Sequence, residues 1–201
     1  MFSLAVMASG RGSNLQSIIE KLHLSQKCIK VGCVISNKKE AGALKIAKNY
    51  RIPFYLVDDT RYNKKEYEKI IIRKIHSHDI DLIVLAGYMK VISKKIVNNF
   101  KDKIINIHPS LLPAFPGLDA QKQAIDYGVK ISGCTVHFIN YKIDDGPIIK
   151  QRAVAVEACD DEESLSKKIL KHEHKLLPEV IELISQDKVI INKDRTVTIK
   201  E

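Results

Sequence analysis

Three side chains with complementary chemistry stand at informative places in this chain. Asn106 and His108 lie in Ile104-Ile105-Asn106-Ile107-His108-Pro109-Ser110, and Asp144 lies in Asp144-Asp145-Gly146-Pro147. An amide that can donate to a developing oxyanion, an imidazole that can move a proton and a carboxylate that can orient the ring together suit acyl transfer. The Ile-rich run predicts an extended strand, whose alternation puts Asn106 and His108 on one face and Ile105 and Ile107 on the other. Polar groups aimed one way from such a strand are costly unless they meet partners or a ligand. Pro109 favours extended backbone at His108 and cannot continue a ladder, so the strand ends with the imidazole at the sheet edge where α/β folds bind ligands. Asn-x-His alone is a weak pattern, since a buried Asn or His bonded to nearby backbone gives the same residues, and Asp144 in a Gly- and Pro-containing loop also fits a simple turn. His137 reads as structural. His172 and His174, flanking Glu173, lack zincin spacing and a third ligand, so no metal site is read there; His76 and His78 read as a solvated helix end.

The elements that must position these groups alternate. Strands are predicted over 2–8, 29–36, 54–57, 82–86 and 104–108, with helices over 14–24, 41–50, 64–76 and 94–100. That order predicts a largely parallel sheet covered by helices, with right-handed crossovers. After about residue 121 the pattern changes. A helix over 121–127 precedes strands over 133–139 and 148–156, with the Asp144 loop between them, so this pair should be antiparallel and the sheet mixed. Asp160 or Asp161 should cap a helix over 162–185 that Pro178 kinks or divides, and 189–199 reads as a terminal hairpin turning at Asn192-Lys193-Asp194. The fold class is therefore α/β, a single Rossmann-like domain over 1–201 with a mostly parallel twisted sheet, antiparallel strands in the C-terminal half and helices on both faces.

Composition narrows the partners. A 45% hydrophobic content in 201 residues can fill one core. No segment approaches membrane-spanning length and the N-terminus lacks a charged-then-apolar leader, so a soluble, cytoplasmic protein is expected, without a membrane partner. The four cysteines are scattered without a C-x-x-C pair and read as core thiols of a reducing compartment. The net charge of +9 is Lys spread along the chain rather than a basic tail, and the few aromatics are not interleaved with it, so anionic small molecules are favoured over nucleic acid.

Ser9-Gly10-Arg11-Gly12-Ser13-Asn14 joins the first strand to the first helix, a plausible anion cradle, although a tight turn alone would use the same glycines. Ser13 and Gln16 fit a capping box. A dinucleotide fingerprint would need Gly where Leu15 stands and an acidic residue where Ser36-Asn37 stands, which disfavours NAD; there is no Walker A pattern either.

In order along the chain, Gly10-Arg11-Gly12-Ser13-Asn14, Leu85-Ala86-Gly87-Tyr88-Met89, Asn106-Ile107-His108-Pro109-Ser110-Leu111-Leu112-Pro113, Phe115-Pro116-Gly117 and Asp144-Asp145-Gly146-Pro147 closely resemble the phosphoribosylglycinamide formyltransferases. These are folate-dependent purine-synthesis enzymes of the formyltransferase superfamily. The resemblance covers nearly the whole chain. Methionyl-tRNA formyltransferases share the middle motif but would carry a C-terminal tRNA-binding domain, and formyltetrahydrofolate hydrolases an N-terminal regulatory one. The resemblance implies formyl transfer from 10-formyltetrahydrofolate, as co-substrate, to the amine of glycinamide ribonucleotide. Neither metal nor NAD is expected to take part, and a monomer or weak homodimer is expected. It further implies Asn106, His108 and Asp144 as the catalytic residues, with Asp144 orienting His108 and favouring its protonated form.

By the same resemblance Gly12, Ser13 and Asn14 hold the ribonucleotide phosphate, with Gly87, Pro109 and Glu173 near its glycinamide or ribose. Folate would meet Met89, Lys90, Val91 and Ile92, the loop from Asn140 to Asp144, Asn106, and Lys64, where many members carry Arg. Residues 1–100 would form the ribonucleotide half and 101–201 the catalytic and folate half. Asp119 departs from the His common after Pro-Gly-Leu. On the same fold the alternatives are a formyltetrahydrofolate hydrolase or an amino-sugar formyltransferase; outside catalysis, a basic binding protein.

Overall fold

The computed structural model describes residues 1–25 and 28–200. They divide into two compact units, Met1–Ile105 and the residues from Asn106 on.

In the first unit the predicted alternation is realised. Strands β1 (Phe2–Met7), β2 (Ile29–Ser36), β3 (Phe54–Leu56) and β4 (Leu82–Leu85) alternate with α1 (Ser13–Ile18), α2 (Gly42–Asn49), α3 (Lys64–His76) and α4 (Lys94–Asn99), and β5 (Ile104–His108) begins at the unit's end. The strand order is β3-β2-β1-β4-β5, and the pairs β1/β2, β1/β4 and β2/β3 are parallel. Leu4 to Ala8 are wholly buried, as a strand covered on both faces must be. Helix α1 continues as one π-helical turn, Ile19–His23. The capping box expected from Ser13 and Gln16 does not form: the cap is Gly12 at φ 83°, and Gln16 instead bonds Glu20 and the Tyr50 hydroxyl. A Cβ on Gly12 would lie 2.8 Å from the Ala43 Cα, so the approach of α2 demands a glycine there and leaves Ser13 inside the helix.

In the second unit the order is β5-β6-β7, with β6 (Ile131–Phe138) and β7 (Ile148–Ala155) antiparallel as expected. Helix α5 (Ala120–Tyr127) precedes them and α6 (Glu162–Ser185) follows, packing on both strands. Of the two candidate caps, Asp161 is the one used, in a reciprocal box with Ser164. Pro178 does not divide α6: Leu176, Leu177, Val180 and Ile181 around it are fully buried, and that packing outweighs the lost backbone bond. Strands β8 (Val189–Ile191) and β9 (Val197–Ile199) form the terminal hairpin.

All four thiols are free; Cys33 and Cys134 are buried in the core, but Cys28 and Cys159 are exposed. No helix among the described residues is long and apolar enough to cross a membrane.

Candidate active site

Strand alternation delivers Asn106 and His108 to the same carboxylate. The Asn106 amide Nδ2 donates to Asp144 Oδ1 at 3.5 Å, and His108 Nδ1 stands 3.4 Å from Asp144 Oδ2. Asp144 reaches them from the β6–β7 loop with a left-handed backbone, φ 48°, an uncommon conformation for a residue with a side chain. The backbone N–H of Gly117 donates to its Oδ2 at 2.8 Å. The loop that brings in Gly117 is itself fastened. Thr135 of β6 donates to the Ser110 carbonyl and accepts from Leu112 N–H, and Gln151 of β7 bonds the Leu112 carbonyl.

Two carbonyls settle how the imidazoles are protonated. His108 Nε2 lies 2.8 Å from the Phe115 oxygen, which can only accept, so Nε2 carries a hydrogen. His137 Nδ1 lies 2.9 Å from the Phe138 oxygen and carries one for the same reason. Its Nε2 faces Asn106 Nδ2 at 3.3 Å and Asp144 Oδ1 at 3.6 Å. Because Nδ1 carries the ring hydrogen, Nε2 is placed to accept from the Asn106 amide. His137, read from sequence as structural, is thus part of the site. The available signal was its place on the apolar strand leading into the Asp144 loop.

Charge follows burial. Desolvation lowers the His108 pKa, and the Phe115 carbonyl and the Asp144 charge, which pull it up, do not compensate; His137 adds to the lowering. Asp144 does favour the protonated form of His108, as expected, but only about 4% of His108 is exposed, and the cost of burying an imidazolium outweighs a carboxylate at 3.4 Å. Burial by itself would raise the Asp144 pKa, but the His137 ring, the Gly117 N–H and the nearby imidazole charges hold it below the usual carboxylate value.

A stability prediction follows. His108 in the folded protein binds its proton less readily than in the unfolded chain, so its stabilising contribution is complete above the ordinary value of 6.5 and is lost as pH falls from there through the lowered folded value. Asp144, depressed instead, loses its contribution only at lower pH, below the carboxylate range. The midpoint of urea unfolding should drop between pH 7 and pH 5, and by less in His108→Gln. His23, also lowered by burial, supplies part of the drop in both proteins. An equal drop in wild type and variant would refute the assignment to His108.

The other predicted positions fall into groups. Gly12, Ser13 and Asn14 open α1, and Gly87 and Met89 meet the same turn through Ser9: its N–H donates to the Gly87 carbonyl and its hydroxyl accepts from Met89 N–H. Lys90 pairs with Asp59 at 3.1 Å and lies over the Tyr67 ring, while Met89 and Val91 are exposed and Ile92 half-buried. Lys64 is exposed at the start of α3, one turn before Tyr67, whose hydroxyl bonds that of Tyr88.

In the second unit Pro109 follows β5 and is half-buried. Asn140 bonds the Asp145 carbonyl and carboxylate within the β6–β7 loop. Glu173 is buried on α6 near Cys134, whose thiol is pushed up to about 12 by burial first and by that carboxylate second. Among the described residues no group of three or more His, Cys, Asp or Glu is placed to hold a metal ion.

A family model for formyl transferases matches residues 2–181. The chain is 41% identical over 182 residues to the phosphoribosylglycinamide formyltransferase of Bacillus subtilis (strain 168), covering 90% of this chain and 93% of that protein. The crystal structure of glycinamide ribonucleotide transformylase 1 from Symbiobacterium toebii superimposes with a TM-score of 0.96 at 38% identity, and that of phosphoribosylglycinamide formyltransferase from Anaplasma phagocytophilum with 0.92 at 43%. Each alignment covers 100% of this chain and 95% of the other. With a match of that length, and with Asn106, His108 and Asp144 gathered as described, the chain belongs to the formyl transferase family.

Proposed function

We propose that the protein transfers the formyl group of 10-formyltetrahydrofolate to the amine of N1-(5-phosphoribosyl)glycinamide, giving formylglycinamide ribonucleotide and tetrahydrofolate, a step of de novo purine synthesis. The convergence of Asn106, His108 and Asp144 on one carboxylate-centred network carries this reading. The amine attacks the formyl carbon, the C–N bond forms and the carbonyl oxygen becomes an oxyanion. The Asn106 amide N–H is the donor for that oxygen. With the ring hydrogen shifted to Nδ1, towards the Asp144 carboxylate, His108 Nε2 takes the proton the amine loses and Asp144 stabilises the imidazolium. The same proton passes to the folate nitrogen as its bond to the formyl carbon breaks. For this the substrate replaces the Phe115 carbonyl as the partner of Nε2. No covalent intermediate on the enzyme is needed.

The turn at Gly12, Ser13 and Asn14 holds the substrate phosphate through backbone N–H groups, with Gly87, Pro109 and Glu173 serving the glycinamide and ribose. Lys64, Met89, Lys90, Val91, Ile92 and Asn140 serve the folate. The exposed side chains of Lys64, Met89 and Val91 are free to meet a ligand, which supports their assignment. Residues 1–100 then carry the phosphate turn together with most of the folate positions, and residues 101–201 the catalytic groups and the remaining folate contacts. The reading requires neither NAD nor a metal and places a monomer or weak homodimer in the cytoplasm, away from nucleic acid and membrane.

The test is formyl transfer by the purified protein, followed by folate absorbance with 10-formyltetrahydrofolate, with and without the ribonucleotide. Turnover only with the ribonucleotide is expected. Turnover without it makes the protein a hydrolase, and none in either case refutes the proposal.

A further inference from the structure

The loop that carries Asp144 is held from both sides through the next residue. From within the loop, Asn140 Nδ2 donates to the Asp145 carbonyl at 3.1 Å and to its carboxylate at 3.2 Å. From outside, the Arg195 guanidinium donates to the same carbonyl and, at 3.1 Å, to the same carboxylate. One side of the following residue is closed as well: a Cβ on Gly146 would fall 1.6 Å from the Phe138 carbonyl oxygen, and Phe138 N–H donates to the Pro147 carbonyl. Asp144 therefore has its left-handed backbone set by a neighbour clamped on two sides.

Arg195 is itself well supported. It occupies the turn between β8 and β9 with φ 71°, its N–H bonded to the Asn192 carbonyl. The Asn192 side chain donates to the Thr196 and Thr198 hydroxyls at 2.9 Å each, and Lys200 N–H bonds the Lys188 carbonyl at the hairpin's other end. This hairpin lies beyond residues 2–181, the span shared with the family model.

We propose that Arg195 is a positioning residue for formyl transfer: by gripping Asp145 through carbonyl and carboxylate it holds the adjacent Asp144 against His108 and Asn106. The inference rests on the reading of Asp144 as the catalytic partner of His108. Both contacts come from one guanidinium nitrogen, Nη2, whose two hydrogens serve the two acceptors of Asp145, and an ammonium on a shorter, freely rotating stem reproduces that grip only in part. The pair is largely exposed, with Arg195 58% and Asp145 39% accessible, so it adds little to global stability. Its effect is on geometry.

The experiment measures kcat, both KM values, the pH profile of kcat and the urea midpoint for wild type, Arg195→Gln, Arg195→Lys and Asp144→Asn. In Arg195→Gln kcat should fall about tenfold, less than the hundredfold that a displacement of about 1 Å can cost, with both KM values within about twofold and the urea midpoint unchanged. The acid limb should move to lower pH. His108 on β5 is faced by Asp144 from the β6–β7 loop, by His137 from β6 and by the Phe115 carbonyl, with the neutral Asn106 amide beside them on β5, and of these Asp144 is the charge that loosens. Arg195→Lys should recover part of kcat. An unchanged kcat and profile in Arg195→Gln, with Asp144→Asn inactive, overturns the role of Arg195 alone. A kcat loss matched by lost stability with an unmoved acid limb makes Arg195 merely structural. Full activity in Asp144→Asn overturns the reading of Asp144 itself, and the inference with it.

Discussion

His108→Ala loses turnover by roughly 10³-fold, within the range of about 10² to 10⁴ that a positioned acid–base group supplies, while the protein stays folded. Of the three groups Asn106, His108 and Asp144, the imidazole is the one suited both to accept the amine proton and to return it; Asn106 can only donate from its amide nitrogen, and Asp144 is occupied by the Gly117 N–H at 2.8 Å. Folding survives because the Asp144 carboxylate keeps that N–H and the Asn106 amide when the ring is gone. The check is single-turnover formyl transfer at saturating ribonucleotide, with the urea midpoint measured in parallel. Loss in kcat with nearly unchanged KM fits a group acting in the transition state. Turnover near the wild-type level would remove His108 from the mechanism.

Asn106→Asp is the second large effect, because a nearly isosteric change reverses the polarity of the site. The amide nitrogen now faces two groups, Asp144 Oδ1 and His137 Nε2. A carboxylate there sets two like charges about 3.5 Å apart in a half-buried place, so one of them must take up a proton near neutral pH. The oxyanion also loses its donor, which alone costs about 10² to 10³ in kcat. The expected outcome is a loss of at least that size, growing as pH rises through the titration of the proton the two carboxylates share. Asn106→Ser, which keeps a donor and adds no charge, should retain more activity than Asn106→Asp. If the two variants are equally impaired, the amide acts only by shape.

The β-α alternation, the strand that aligns Asn106 with His108, the antiparallel β6–β7 pair and the terminal hairpin were legible from residue order, because each depends on a period of two or 3.6 residues within a short window. The failures also have local causes. Ser13 looked like a cap because its type and its spacing to Gln16 are right, but the approach of α2 places Gly12 at the cap instead. Pro178 looked like a breaker because a peptide-level rule takes no account of buried neighbours. His137 looked inert because nothing within its own strand shows that its Nε2 faces Asn106 and Asp144.

The charge state of His108 shows the same division most clearly. A carboxylate beside an imidazole argues for a raised pKa, and the chain alone supplies no measure of what opposes it. The fold supplies that measure by enclosing the ring almost completely, so desolvation exceeds the attraction of Asp144. The sequence by itself determined which chemical groups are present, which strand face carries two of them and which family the chain joins, since those follow from residue type, short-range periodicity and motif. Only the tertiary structure decided that His137 joins them, that two backbone carbonyls select the ring hydrogens, and that Arg195 reaches a loop 50 residues away. Each of those depends on segments far apart in the chain meeting at a few ångströms, a distance that no local pattern encodes.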